Sequence, residues 1–195
     1  MKKYEFTGET KEIKLLFRTA VLHRIRATVS FGFVKIGDLG GWIEKEENLS
    51  HEGKAWVCGD AKVWGNAKVW GNAKVCGDAK VCGDAKVCGD AKVCGDAKVW
   101  GNAKVCGDAK VFSASHVLVI GVIGSRNDFT TFYRDKDNEI TVKCGCFLGK
   151  IDRFLEKVTQ THGDSKYALV YRAAVEVAKL QIDLSGEAPK DADEE

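Results

Sequence analysis

The sequence predicts a mainly β protein built on a left-handed parallel β-helix, with an N-terminal β cap and a small α+β C-terminal region. Two observations predict this. From Ala55 the chain repeats every six residues, AWVCGD, AKVWGN, AKVWGN, AKVCGD and onward, for nine copies ending at Asp108. Within the copies a branched aliphatic residue (Val57, Val63, Val69) is followed four positions later by a small one (Ala61, Ala67, Ala73), and glycine stands at every sixth place. A fixed internal period of this kind marks a stack of like units, none of which can bury its apolar face alone.

The repeat itself reads as strand plus turn. Successive side chains of a strand point to opposite faces, so in Ala-Lys-Val-Cys the Ala and Val share one face and the Lys and Cys the other. Gly-Asp or Gly-Asn then reverses the chain, because these residues tolerate positive φ. Three units close one triangular coil of 18 residues around an interior of Ala and Val. Counting AKVFSA and the degraded copy SHVLVI, eleven units make between three and four coils, a prism on the order of 17 Å tall. A helix is excluded, since a glycine every sixth residue would cost about 1 kcal/mol each. Outward residues 18 apart form ladders: Cys58, Cys76, Cys94 and Phe112; Trp64, Cys82 and Trp100; Trp70, Cys88 and Cys106. Columns of Trp and Cys are unusual on a solvated surface, so at least one face is expected to lie under a second subunit or the chain's own ends.

Residues 1–54 form the expected cap, with YEF, KEIKLLF and AVLHRIRATVSF reading as strands. Residues 55–120 form the β-helix. In 121–182, TTFYR and EITVKCGC read as a hairpin across Asp135–Asn138, with Ile140, Val142, Cys144 and Cys146 on one face. Ile151, Phe154, Leu155 and Val158 then have helical spacing, and Gly163 is a plausible stop. A second helix follows, with Tyr167, Val170, Tyr171, Ala174 and Ala178 as its apolar stripe. Residues 183–195 hold six acidic residues and one lysine and read as a disordered acidic tail.

The formal net charge is +2, which leaves the body at about +7 once the tail's −5 is set apart. That favours anionic partners mildly and falls short of the basic stripe of a DNA-binding domain. Asp and Asn ladders beside the lysines argue further against nucleic acid. No apolar run is long enough for a membrane span, and MKKYEFTGETKEIK lacks the apolar core of a signal peptide, so a cytoplasmic protein of a bacterial host cell is expected. The eight cysteines are then free thiols that pack as small residues. Disulfides between rungs are disfavoured, because parallel Cβ atoms about 4.8 Å apart exceed the usual separation.

The repeats resemble the hexapeptide-repeat family, which includes trimeric acyltransferases and carbonic anhydrases. The lead-in FGFVKIGDLGGWIEKEENLSHEG and the stretch IGSRNDFTTFYRDKDNEITVKCGCFLGK are similar to a narrower group of bacterial and prophage proteins. The resemblance implies the fold and a homo-oligomer, with a trimer as the expected form. It is weak for function, because fold does not fix activity.

The sequence bears on acyl transfer, metal binding and ligand binding in different ways. Acyl transfer in this fold generally needs a histidine base near a coil. None stands in the regular repeats, and His116, in the lysine slot of SHVLVI, is expected to point outward; His116 as general base is the outside possibility. Metal is not expected, because four scattered histidines and parallel cysteine ladders do not converge on an ion. No cofactor is implied. Ligand binding points to the turn after the prism: Ser125, Arg126, Asn127 and Asp128, followed by Thr130, Thr131 and Arg134. Arginine, hydroxyls and backbone amides at a turn suit a phosphate, although a polar turn with an internal ion pair explains the same residues. The preferred expectation is a non-enzymatic, phage- or prophage-encoded oligomer that sequesters a small nucleotide-derived immune signal and so counters host defence. A hexapeptide-family acyltransferase and a scaffold or protein-binding module are the alternatives.

Overall fold

The computed structural model describes residues 2–185. Most of the acidic tail read from the sequence lies outside them. Three strands open the chain, β1 (Tyr4–Lys14), β2 (Thr19–Ala27) and β3 (Leu39–Ile43), paired antiparallel in that order. Ten two-residue strands follow: β4 (Trp56–Val57), β5 (Lys62–Val63), β6 (Lys68–Val69), β7 (Lys74–Val75), β8 (Lys80–Val81), β9 (Lys86–Val87), β10 (Lys92–Val93), β11 (Lys98–Val99), β12 (Lys104–Val105) and β13 (Lys110–Val111). They form a parallel β-solenoid of about four turns. The three sheets run β4-β7-β10-β13, β6-β9-β12 and β3-β5-β8-β11. Val pairs with Val at each step of 18 residues, and Lys with Lys at every step but the first of one sheet, where Trp56 stands opposite Lys74.

The alternation read from the sequence decides what is inside. The repeat alanines and valines are fully buried and make one continuous core. Each turn glycine takes a positive φ, and from Gly59 to Gly89 each sits on the turn of the next rung. At Gly89 (φ +70°) a Cβ would stand 2.8 Å from the amide nitrogen of Gly107. The repeat therefore needs glycine both for its backbone angle and for its closeness.

Both ends of the core are closed. At the N-terminal end Tyr4, Ile25 and Val34 join the core cluster, and the Tyr4 hydroxyl donates to the Leu49 carbonyl at 2.8 Å. Residues 45–50 replace one side of the first coil; Asn48 is buried and its amide donates to the carbonyls of Gly65 and Ala67. The β1–β2 hairpin also covers part of one ladder, packing Ala20 and Leu22 against Trp64 and Cys82. The chain's own N-terminal region therefore shields that ladder, while Trp100 at its far end stays 70% exposed.

At the other end the chain leaves the stack earlier than the repeat count suggests. The degraded copy SHVLVI is not a rung. Its residues Ser115 and His116 sit in a short 3-10 turn, and its remainder begins β14 (Val117–Ile123). With β15 (Asp128–Arg134), β16 (Ile140–Cys144) and β17 (Phe147–Lys150), β14 forms a four-stranded antiparallel sheet. The hairpin expected across Asp135–Asn138 is present as β15–β16. Alternation along β15 lets this sheet serve two cores. Tyr133 plugs the prism and donates to the Cys106 carbonyl at 2.8 Å, while Phe132 faces the helices.

Helices α1 (Ile151–His162) and α2 (Lys166–Gln181) stand where the apolar spacing placed them. Helix α2 buries Ala168, Tyr171, Ala174, Val175 and Ala178, so its inward face is rotated from the expected stripe: Val175 is inside, while Tyr167 and Val170 are exposed. Of the tail, Asp183 donates its amide to the Ser115 carbonyl, and Leu184 packs against the helical core. The expectation of free thiols throughout is corrected at one rung: Cys58 and Cys76 are joined by a disulfide. In-register stacking holds their Cα atoms 4.7 Å apart, within disulfide reach. Cys82, Cys88, Cys106, Cys144 and Cys146 keep free thiols.

Candidate functional site

The turn between β14 and β15 is made by Gly124–Asn127. Asn127 takes φ +46° and returns its amide to the Gly124 carbonyl. This puts Ser125 and Arg126 at the tip, over the gap between the sheet and α1. They line a cleft of about 360 Å³. Its apolar floor is Phe147, Phe154 and Val158, and its rim carries Lys157, Thr161 and His162 from α1 and Tyr171 from α2. A cleft of this size and mixed lining is of the kind that holds small molecules.

Two glycines shape it. A Cβ on Gly124 (φ +71°) would stand 2.0 Å from the Tyr171 hydroxyl, and one on Gly145 (φ +56°) would stand 2.6 Å from an Arg126 guanidinium nitrogen. Any side chain at either place would push Tyr171 or Arg126 out of its position. Arg126 Nη2 lies 3.8 Å from Cys146 Sγ, and Ser125 Oγ lies 3.5 Å from His162 Nε2. The His162 ring stacks on Tyr171 with centroids 5.8 Å apart. Burial, then neighbouring Cys144, raises the Tyr171 phenol above its ordinary range, so it is a neutral hydroxyl at neutral pH.

The structure divides the residues singled out in the sequence. Ser125 and Arg126 enter the cleft. Asn127 supplies the turn's positive φ. Asp128 turns toward the prism, 3.5 Å from Lys104 Nζ; the Phe129 amide and then that lysine hold its carboxyl below the usual range. Thr130 is buried and donates to Cys144 Sγ. Thr131, also buried, accepts the Lys104 amide at 3.0 Å and so ties the sheet to the prism. Arg134 is buried beside His116, Nη1 to Nε2 3.5 Å. The alternation of β15 sends these groups to different faces, so the seven do not form one site.

His116 differs from expectation. It is buried rather than outward, because its copy leaves the stack before a lysine-like position exists. Its Nδ1 accepts the Phe112 amide at 3.1 Å, a capping role rather than that of an exposed base. Sequence reasoning missed Lys157, Thr161, His162, Tyr171, Cys144 and Cys146. Lys157 and Thr161 are four apart beside the apolar stripe of α1, a spacing that puts them on one edge of the helix, but only the packing of α1 on the sheet brings that edge to the turn.

Chemically, the cleft offers a guanidinium, an ammonium, an imidazole and hydroxyls above an aromatic floor. The Ser125–His162 separation is at the limit of a hydrogen bond, and among the described residues the ring partner of His162 is a serine rather than the carboxylate that orients an activated nucleophile pair. Among the described residues, no group of three or more His, Cys, Asp or Glu is placed to hold a metal, and no helix is long and apolar enough to cross a membrane. No protein-family model and no curated protein matches the chain.

Proposed function

We propose that the protein is a non-enzymatic binder of a small phosphorylated ligand, held in the cleft between the C-terminal sheet and α1. The observation that carries this reading is the convergence of Arg126, Lys157 and His162 on a rim above Phe147 and Phe154. Cationic donors suit phosphate oxygens, and an apolar aromatic floor suits a planar base. The ligand class is therefore nucleotide-like. Sequestration of a nucleotide signal, as the resemblance to prophage proteins implies, needs no catalytic group and is the role this reading assigns.

Calorimetric titration with a nucleoside triphosphate, a cyclic mononucleotide and a cyclic dinucleotide tests it. One of the three is expected to bind, and Arg126→Ala is expected to weaken it by about tenfold to a hundredfold, the worth of one hydrogen bond to a charged group. No heat with any of the three, or equal affinity in the Arg126→Ala variant, would overturn the reading.

A second reading concerns self-association. Leu169, Val177 and Leu180 lie exposed along the outer face of α2, and Leu180 is 90% exposed. A helix face with this apolar content is suited to contact with another copy, consistent with the expected trimer.

A further inference from the structure

The prism has three corners, and they differ in charge. Every rung places a lysine after its turn, but the turn residue varies. At the first corner it is Asp60, Asp78 and Asp96; at the third, Asn72, Asp90 and Asp108; at the second, Asn66, Asp84 and Asn102. Asparagine leaves the neighbouring lysine uncompensated where aspartate would offset it. Three lysines thus face three aspartates at the first corner and two at the third, but only Asp84 at the second, so the column Lys68, Lys86 and Lys104 carries the largest excess over its turn acids. It also borders a cleft of about 680 Å³, to which the N-terminal region adds Lys45 and Glu47.

The remaining acid is partly engaged: Asn66 donates to Asp84 at 3.1 Å, while Lys45 donates to Asn66 at 3.3 Å. Asp128 meets Lys104 at the C-terminal edge. Rungs are about 4.8 Å apart, so Lys68, Lys86 and Lys104 form a straight cationic line on the order of 10 Å long, and Lys45 lies beyond its N-terminal end beside Asn66. Trp100 stands two residues before Asn102 and is 70% exposed, although Trp64 in the same ladder is buried. A line of ammonium groups with an open indole near one end matches an extended phosphate backbone with an unpaired base. A duplex keeps its base faces stacked inside and cannot use the indole in this way.

We propose that the second corner is a binding groove for short single-stranded nucleic acid, with Lys45, Lys68, Lys86 and Lys104 on phosphates and Trp100 stacked on a base. This site is separate from the cleft at Arg126. It also revises the sequence reading, in which Asp and Asn ladders were treated alike as screening the lysines.

The test is fluorescence anisotropy of an end-labelled oligothymidylate with the full chain, across a range of salt. Binding should weaken with a log–log slope of about −3, four lysines at roughly −0.7 each. Lys68→Gln with Lys86→Gln should reduce affinity by about tenfold, and Trp100→Ala should reduce it further. Asp84→Asn should increase affinity by about threefold, and it is structurally safe because Asn66 and Asn102 occupy the same place in adjacent rungs. Arg126→Ala should leave oligonucleotide binding unchanged, which separates failure here from failure of the cleft reading. Absence of binding at low salt would overturn the proposal. So would an equal loss from Lys80→Gln with Lys98→Gln at the first corner. Inorganic polyphosphate competing as well per phosphate, with Trp100→Ala silent, would also overturn it, since the groove would then read charge alone.

Discussion

His116 sits beneath Phe112 with its Nδ1 already filled by a backbone amide. Burial, then the positive charge of Arg134, lowers its pKa from 6.5. The sign follows from linkage. Below 6.5 the unfolded ring takes up a proton that the folded ring refuses, so stability falls as pH drops through that window and is level above it. The urea midpoint is expected to decline as pH falls below about 6.5, and His116→Gln should flatten that decline. An unchanged slope in the variant would refute the assignment. This residue also shows the limit of reading positions from a repeat: the lysine slot of SHVLVI has meaning only while the chain stays in the stack. Ser125 and Arg126 were legible because a polar turn with an arginine is a local signal. Lys157, His162 and Tyr171 were not, since they reach the cleft only through the packing of two helices on a sheet.

Among the elements, the solenoid was the most legible, because one six-residue unit fixes strand, turn and interior together. The rungs follow the alternation without exception, from Val57 to Val111. The stacking of turn on turn yields a graded prediction. Gly101 and Gly89 share a positive φ, but a Cβ on Gly101 would meet nothing within 4 Å, whereas one on Gly89 would crowd Gly107. Gly101→Ala is expected to cost about 1–2 kcal/mol, the penalty of the left-handed backbone alone. Gly89→Ala should cost about 1–3 kcal/mol more from overpacking. Chemical denaturation of both variants checks this, and equal losses would show that the rungs part easily. The C-terminal sheet was half legible. Its β15–β16 hairpin is local, but β14 was hidden inside an apparent repeat copy, since SHVLVI suits a rung and an antiparallel strand equally well.

The whole molecule is a rod with unlike ends, joined by a core that changes little along its length. The expectation that a ladder would be covered is met on one face by the β1–β2 hairpin and Trp64. Among the described residues nothing covers the outer face of α2, a result of the rotation that turned Val175 inward and left Leu169, Val177 and Leu180 outside. Light scattering on the eluted protein is expected to give a multiple of the 21.3 kDa chain mass. Leu169→Glu with Leu180→Glu should return it to one chain, because a carboxylate buried at the contact would be unpaired. A monomer in the unaltered protein would remove α2 as a self-contact.

The equal length of the rungs also makes them a clock. Each hexapeptide turns the chain through a third of a revolution, so the number of copies sets the compass bearing of the C-terminal cleft against the N-terminal cap. Removing three copies shortens the rod by about 4.8 Å and keeps that bearing. Removing one swings the cleft to a different side of the prism. Two variants with equally intact cores could thus differ in whether a ligand held at Arg126 and a strand lying along Lys68 and Lys86 face the same way.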